Sequence, residues 1–289
     1  MNMTRKGIIL AGGRGTRLYP VTLGVTKCLL PIYDKPLIYY SISTLMLSDI
    51  RDVLIITTPE DSKIYARLLG DGSEWGINIS YDVQPKPEGI AQALIIGEKF
   101  LCNRSCALIL ADNIFHGNGL SEKLSKISKN NKNTVFTYTV DDPSRFGVCE
   151  VDENNMVISL EEKPIDPISN QAVTGLYFYD NEVSEIAKTI VPSLRGELEI
   201  TDVNIEYMKA KKLYSEPLKN EYKWIDAGTV DSLMDACSYV RNIEKNEGIK
   251  ISCPEEISYR KGWISSEMLQ KLADNYDNDY GKYIKKLIS

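Results

Sequence analysis

One histidine, His116, is all the imidazole in this 289-residue sequence, and its six cysteines, Cys28, Cys102, Cys106, Cys149, Cys237 and Cys253, form no Cys-x-x-Cys pair. That scatter argues against a zinc cage. Cysteines spread in this way are expected to be reduced and mostly buried. Cys28 stands apart, because Lys27 beside it can lower a thiol pKa, although packing is still the role expected of it. No apolar run approaches the roughly 18 to 20 residues that a spanning helix needs, and the first residues lack a signal-peptide core. The expectation is a cytoplasmic protein with no membrane partner. Positive charge is also short, with 34 Lys and Arg against 40 Asp and Glu and a formal net charge of −6. A nucleic-acid surface is therefore not expected, although a local basic pocket for a small anion is compatible with an acidic chain. Linkers, low-complexity tracts and internal repeats are missing too, which favours one continuous domain over residues 1–289.

What the sequence does hold is concentrated near its start. Ile8, Ile9, Leu10 and Ala11 form an unbroken apolar run, the pattern of a strand buried on both faces. Gly12, Gly13 and Gly15 follow, and such a turn can bring backbone N–H groups against a ligand. Arg14 and Arg17 add fixed positive charge that matches phosphate oxygens, and Lys27 lies ten residues beyond Arg17. The loop is neither a Walker loop nor a dinucleotide fingerprint, because no Gly-Lys-Ser/Thr follows and positions 18 and 20 are Leu and Pro. Glycines alone would suggest only a turn; with these cations, phosphate binding is the better reading.

Further along, buried-strand and helix patterns alternate. Strands are expected at Asp52–Thr57, Ile77–Val83 and Cys106–Ala111. Helices are expected at 37–47 with Pro36 in the first turn, at 61–69, at 89–100 and at 120–129. This alternation predicts an α/β, Rossmann-like, mostly parallel central sheet flanked by helices. From residue 133 the strands come closer together (134–140, 147–151, 157–161, 173–179), which predicts a smaller β-rich subdomain. Helices at 181–189 and 201–211, strands near Tyr214 and Trp224, a helix at 229–246 and a helical remainder complete the pattern. In this sheet type ligands sit beyond the carboxyl ends of strands, so Asp112, Asn113 and Asp226 are candidates for cation or ligand contacts. Taken singly, each would be as well explained as a turn cap. Gln84, in the proline loop Val83–Gly89, can donate and accept hydrogen bonds, which suits a pyrimidine edge.

Gly12-Gly-Arg-Gly-Thr-Arg-Leu-Tyr-Pro20 and Thr26-Lys-Cys-Leu-Leu-Pro-Ile-Tyr-Asp-Lys-Pro36 resemble the signature of the sugar nucleotidyltransferases, within them closest to the glucose-1-phosphate thymidylyltransferase group. Leu68–Gly76, Ser159–Pro164, Ala172–Asp180, Arg195–Asp202 and Ser252–Ile257 carry the similarity nearly end to end. The resemblance implies transfer of a thymidylyl group from dTTP to a sugar 1-phosphate, glucose 1-phosphate first, giving dTDP-glucose and pyrophosphate. It implies Mg²⁺, a homotetramer, and a place at the start of dTDP-deoxysugar synthesis for cell-surface polysaccharide. UTP or another sugar 1-phosphate is the alternative within the class, and a non-catalytic nucleotide-sugar sensor is the alternative outside it.

By the same resemblance, the nucleotide-binding part covers about 1–132, the sugar-phosphate part about 133–228 and a helical part about 229–289. Leu10, Gly12, Gly13, Gly15, Thr16, Arg17, Gln84, Pro87, Gly89 and Asp112 would hold the nucleotide. Asn113, Gly147, Glu162, Lys163, Val173, Thr174, Gly175 and Arg195 would hold the sugar phosphate. Arg17, Lys27 and Lys163 would be catalytic, and Asp112 and Asp226 would bind the metal. His116, in a segment at Phe115–Gly119 expected to be a loop, is expected to be structural or peripheral. Four positions depart from the familiar pattern: Cys28 for Gln, Ala111 for Gly, Phe146 for Tyr and Ala227 for Thr. A lost hydrogen bond of this kind is worth roughly 0.5–1.5 kcal/mol, enough to shift preference among sugars. Lys219-Asn220-Glu221 also replaces a Gly-Arg-Gly that the family uses in feedback by a deoxysugar nucleotide. Weakened feedback is expected, because Glu221 repels a diphosphate.

Overall fold

The computed structural model describes residues 5–288; the outer limits of the expected domain, residues 1–4 and 289, lie outside them. The chain opens with β1 (Lys6–Ala11). A glycine loop with three short 3₁₀ turns leads to the two-residue ladder β2 (Pro31–Ile32) and β3 (Lys35–Pro36). Then come α1 (Ile38–Leu47), β4 (Asp52–Thr57), α2 (Ser62–Leu69), β5 (Asn78–Val83), α3 (Gln92–Ile96), α4 (Glu98–Leu101) and β6 (Cys106–Leu110). The next run is β7 (Asn113–Gly117), α5 (Leu120–Lys129), β8 (Asn133–Thr139), β9 (Gly147–Val151), β10 (Val157–Glu162) and β11 (Gln171–Tyr179). After α6 (Val183–Thr189) and α7 (Ile200–Lys209) come β12 (Leu213–Leu218), β13 (Tyr222–Asp226), α8 (Val230–Glu247), α9 (Pro254–Arg260), α10 (Ser266–Asp274) and α11 (Asp279–Lys286).

Nine strands form one mixed sheet in the order β10-β9-β11-β6-β1-β4-β5, with β8 on β11 and β12 on β8. Its nucleotide half is parallel: β1 lies between β4 and β6, and β5 extends the edge. Alternate residues of β1 show why the apolar run has no polar member. Ile9 joins a core with Ile55, Ile109 and residues of α1 and α5, while Ile8 faces the opposite core with Leu54, Ile56 and residues of α3, α6 and α7. Both faces are covered, so both must be apolar.

β11 is antiparallel to β6 and to β8, and its register against β8 shifts between Val173 and Tyr177. The shift takes Thr174 and Gly175 out of the regular ladder, the kind of local bend found beside functional sites. β13 pairs with β7 in a separate ribbon that sets Asp226 opposite Asn113. α8 starts where the sequence suggested: Thr229 accepts from Ser232 N–H and Ser232 Oγ accepts from Thr229 N–H, a capping box. Its far end is tied to the β2–β3 ladder by buried ion pairs of Lys35 and Lys250 with Asp34 and Glu244.

Three expectations need correction. The helix expected at 89–100 is two short helices that begin only at Gln92. Residues 88–91 are pinned to the chain near α7, since Leu198 N–H donates to Glu88 O and Ala91 N–H to Leu198 O, with Gly89 at φ +108°. The break falls at Gly97, where a side chain would meet Ile8 Cδ1 at 2.6 Å. Pro36 belongs to the ladder rather than to α1, whose first residue is Ile38. The segment around His116, expected to be a loop, is strand β7, with His116 opposite Lys223 of β13.

Candidate active site

A cleft of about 620 Å³ opens where the parallel half of the sheet meets the antiparallel half. Thr16 and Arg17 reach it from the glycine loop, and Asp112, Asn113 and Asp226 from strand ends. Gly147, Glu162, Lys163, Val173, Thr174, Gly175 and Arg195 line it from the β-rich side. A second hollow, about 560 Å³, lies on the other side of the loop and contains Gly12, Gly13, Arg14, Gln84 and Pro87. Leu10 lies half-buried next to the end of β1, Gly15 sits at φ +62° with Lys27 Cβ 3.2 Å from where its own Cβ would be, and Gly89 adjoins Leu198; these three line neither hollow.

At the cleft floor the side chains form a connected network. Lys27, buried, is ion-paired with Asp112. Asn113 Nδ2 donates to Asp112 Oδ1 at 2.8 Å. Its Oδ1 in turn accepts from Trp224 Nε1 at 2.6 Å and from Gly175 N–H at 3.0 Å. Asn113 thus has its acceptor filled and one N–H committed, which makes it a support for Asp112 more than a free ligand contact. Gly175 must be glycine for this: a Cβ there would lie 2.7 Å from Asn113 Oδ1. Gly228 plays the same part for Arg17 and Asp226, since its Cβ would stand 2.7 Å from Arg17 Nη2 and 3.0 Å from Asp226 Oδ1.

The electrostatics of the two carboxylates differ. Burial alone would raise both, but the charge and hydrogen bond of Lys27, with the Asn113 amide, hold Asp112 below its ordinary range. Asp226 has no such partner; burial and then repulsion from Asp112 outweigh Lys27, Arg17 and Arg145 and push it up to about 6. Two facing carboxylates of which one resists ionisation form a site that a divalent cation would relieve. Among the described residues no group of three or more His, Cys, Asp or Glu side chains is placed to hold a metal ion. Such a sparse set suits Mg²⁺, which binds through one or two carboxylates and completes its shell with water and substrate phosphates.

On the sugar-facing wall, Glu162 Oε2 accepts from Thr201 Oγ1 at 2.5 Å, and its Oε1 lies 3.0 Å from Lys163 Nζ and 3.5 Å from Arg195 Nη2. Arg195 also donates to Glu199 at 2.8 Å. Thr174 Oγ1 is buried without a partner and lies in the wall, a hydroxyl that a polar ligand could satisfy. Arg145, Tyr177, Glu197, Glu199 and Thr201 line the cleft without having been anticipated. Glu197, Glu199 and Thr201 lie in the Arg195–Asp202 stretch and Tyr177 in Ala172–Asp180, both of which carry the family resemblance, whereas Arg145 lies in neither.

Cys28 does not become a reactive thiol. It is fully packed, and burial, then Asp112, push it up to about 12 against the pull of Lys27. His116 Nδ1 hydrogen-bonds Tyr239 OH at 2.8 Å, and burial lowers its pKa.

The family model described as nucleotidyl transferase matches residues 6–243. The chain belongs to the nucleotidyl transferase family. A glucose-1-phosphate thymidylyltransferase of Xanthomonas campestris pv. campestris (strain B100) is 53% identical over 285 residues, 98% of this chain and 97% of that one. The enzyme of the same name from Mycobacterium tuberculosis (strain ATCC 25618 / H37Rv) is 50% identical over 284 residues, covering 98% and 99%. A Bacillus anthracis protein provisionally assigned the same activity, solved with a sucrose, superposes with a TM-score of 0.75 at 43% identity over 83% of this chain and 96% of that chain. A solved structure whose name gives another nucleotide, UDP-glucose pyrophosphorylase complexed with UDP-glucose, superposes with a TM-score of 0.73 at 27% identity over 83% of this chain and 99% of that chain.

Proposed function

We propose that this chain is a glucose-1-phosphate thymidylyltransferase, which transfers a thymidylyl group from dTTP to α-D-glucose 1-phosphate and releases pyrophosphate. One observation carries the site assignment: a single cleft joins the strand-end carboxylates and Arg17 to Glu162, Lys163 and Arg195, so an α-phosphorus and a sugar phosphate can meet there. The near full-length identity to thymidylyltransferases supports the reaction class.

An oxygen of the sugar phosphate attacks the α-phosphorus, and the bond to the β-phosphate breaks on the opposite side. The nucleophile is already anionic near neutral pH, so no general base is required. Positioning and charge stabilisation supply the acceleration. Arg17 and the amides of Gly12, Gly13, Gly15 and Thr16 would hold the β- and γ-phosphates. Lys27 would leave Asp112 for the phosphates, and Lys163 would aim the nucleophile. Glu162, held by Thr201, would accept sugar hydroxyls; Gly147, Val173, Thr174 and Arg195 would complete the pocket. Asp112 and Asp226 would hold magnesium, which would supply positive charge to offset that of the triphosphate.

We further infer a homotetramer, to be checked by size-exclusion chromatography with light scattering. No described helix is long and apolar enough to cross a membrane. UTP is the second reading for the nucleotide, since the acceptor that Gln84 presents does not tell uracil from thymine.

The decisive assay is pyrophosphate release with Mg²⁺, crossing dTTP, UTP, CTP, GTP and ATP with glucose 1-phosphate and other sugar 1-phosphates. Turnover of dTTP with glucose 1-phosphate is expected. Turnover of another pair only would move the substrate. Silence from every pair, with dTDP-sugars still bound, would leave a sensor.

A further inference from the structure

Three side chains in the β5–α3 connection form a directed chain of hydrogen bonds. Gln84 Nε2 donates to Gly89 O at 3.1 Å and to Gln92 Oε1 at 2.7 Å, and Gln92 Nε2 donates to Glu88 Oε2 at 2.6 Å. Both ends are fixed by groups that only accept: a backbone carbonyl at one and a carboxylate at the other. Turning the Gln84 amide over would set oxygen against oxygen at two contacts, Gly89 O and Gln92 Oε1; turning Gln92 would set oxygen against oxygen at Glu88 and N–H against N–H at Gln84. The direction of the Gln84 amide is therefore determined.

That direction corrects the expectation that Gln84 both donates and accepts. Its two N–H groups are spent inside the protein, and only Oε1 remains. Oε1 has no hydrogen-bond partner among the described residues and faces the glycine loop, where a Cβ on Gly12 would stand 2.5 Å away. Gln84, Gly12, Gly13 and Pro87 line the same hollow. We infer that Gln92, supported by Glu88, is a positioning residue that fixes Gln84 as a pure acceptor and so makes the base subsite select pyrimidines carrying N3–H. The inference rests on the nucleotidyl transfer proposed above and deepens it. Thymine and uracil donate N3–H to Oε1; cytosine offers a lone pair at N3, so two acceptors would face each other. A buried acceptor left without a donor costs enough to lower affinity about tenfold.

The test measures kcat/KM for dTTP, UTP and CTP at saturating glucose 1-phosphate. Gln92→Leu removes one of the two acceptors that hold the Gln84 amide and leaves only Gly89 O against its turning, so the CTP to dTTP ratio should rise, by up to about tenfold. The UTP to dTTP ratio and the KM for sugar phosphate should hold, because neither depends on the amide's direction. The double variant Glu88→Gln with Gln92→Glu keeps an acceptor against Gln84 and reverses the outer bond; it should restore the wild-type ratio. Should Gln92→Leu fail to fold, Glu88→Ala at the exposed position carries the test, with a smaller rise in the same ratio. An unmoved CTP to dTTP ratio, or equal losses for all three nucleotides, would overturn the inference and leave Gln92 a packing residue. If the wild type turned over no nucleotide, the proposed function would fail separately, and calorimetric affinities of dTDP, UDP and CDP for the same variants would decide the inference.

Discussion

The ammonium of Lys27 rests against the carboxylate of Asp112 at the cleft floor, where a bound cation would be needed. Lys27 thus balances the charge of Asp112, one of two neighbouring carboxylates. Asp226, lacking that partner, stays partly protonated toward neutral pH, its carboxyl pushed up to about 6 by burial and by Asp112.

Replacing Lys27 by Met should expose this balance. Removing one partner of a largely buried pair leaves an uncompensated charge, a cost of about 2–3 kcal/mol here because the Asp112 side chain is still 19% exposed. The expected outcome is a lower metal-free Tm and a larger Tm rise on adding Mg²⁺ than in the wild type. Pyrophosphate release should fall by about 100-fold or more, since a phosphate contact made in the transition state is lost. An unchanged Tm without metal would show that the pair contributes nothing to the resting fold.

Trp224 supports Asp112 from a distance through Asn113. Trp224→Phe keeps an aromatic ring against Phe146 but removes the donor to Asn113 Oδ1. Losing one hydrogen bond, roughly 0.5–1.5 kcal/mol, should weaken Mn²⁺ binding about three- to tenfold, read by electron paramagnetic resonance without substrates. If Mn²⁺ affinity is unaltered, the Gly175 N–H bond to Asn113 suffices by itself.

Asp49 provides a pH-dependent contribution remote from the cleft. Burial would raise its carboxyl, but hydrogen bonds from Lys261, Ser125 and Lys129 outweigh that and lower it to about 2. A lowered carboxyl stabilises the fold above its unfolded pKa, and the stabilisation disappears as pH falls toward 2. Asp49→Asn tolerates the left-handed backbone at φ 61° and should cost about 1 kcal/mol at pH 7, after allowance for partial exposure. Denaturant titrations of both proteins should converge as pH drops from 4 to 2; a gap that persists there would point to packing.

Feedback by a dTDP-deoxysugar should be weak. The turn at Lys219–Glu221 lies beside Gly117 of β7, with Glu221 O only 2.5 Å from where a Gly117 Cβ would be, and its acidic side chain is exposed. Inhibition of pyrophosphate release by dTDP-rhamnose well below the dTTP concentration would contradict the expectation, and Glu221→Arg should strengthen inhibition.

The sequence by itself determined the elements whose cause is local. An apolar run without polar alternation makes β1, β4 and β6 two-faced strands, glycines beside arginines make a phosphate-type loop, and Thr229 with Ser232 caps α8. The end of β6 then points to Asp112 and Asn113 from the sequence alone, because a parallel sheet presents its carboxyl ends to ligands; Asp226 ends β13 of the separate antiparallel ribbon, and pairing with β7 is what brings it to the same place. Tertiary structure decided what depends on partners far along the chain. Trp224 reaches Asn113 across 111 positions, and Thr201 reaches Glu162 across 39; no local pattern encodes either. The helix expected from Gly89 fails because Leu198 holds that backbone, and the Gln84 amide loses its donors only once Gly89 O and Gln92 are in place. Hydrophobic periodicity and loop chemistry are written residue by residue, whereas the direction of a buried hydrogen bond is fixed only when folding brings its acceptors together.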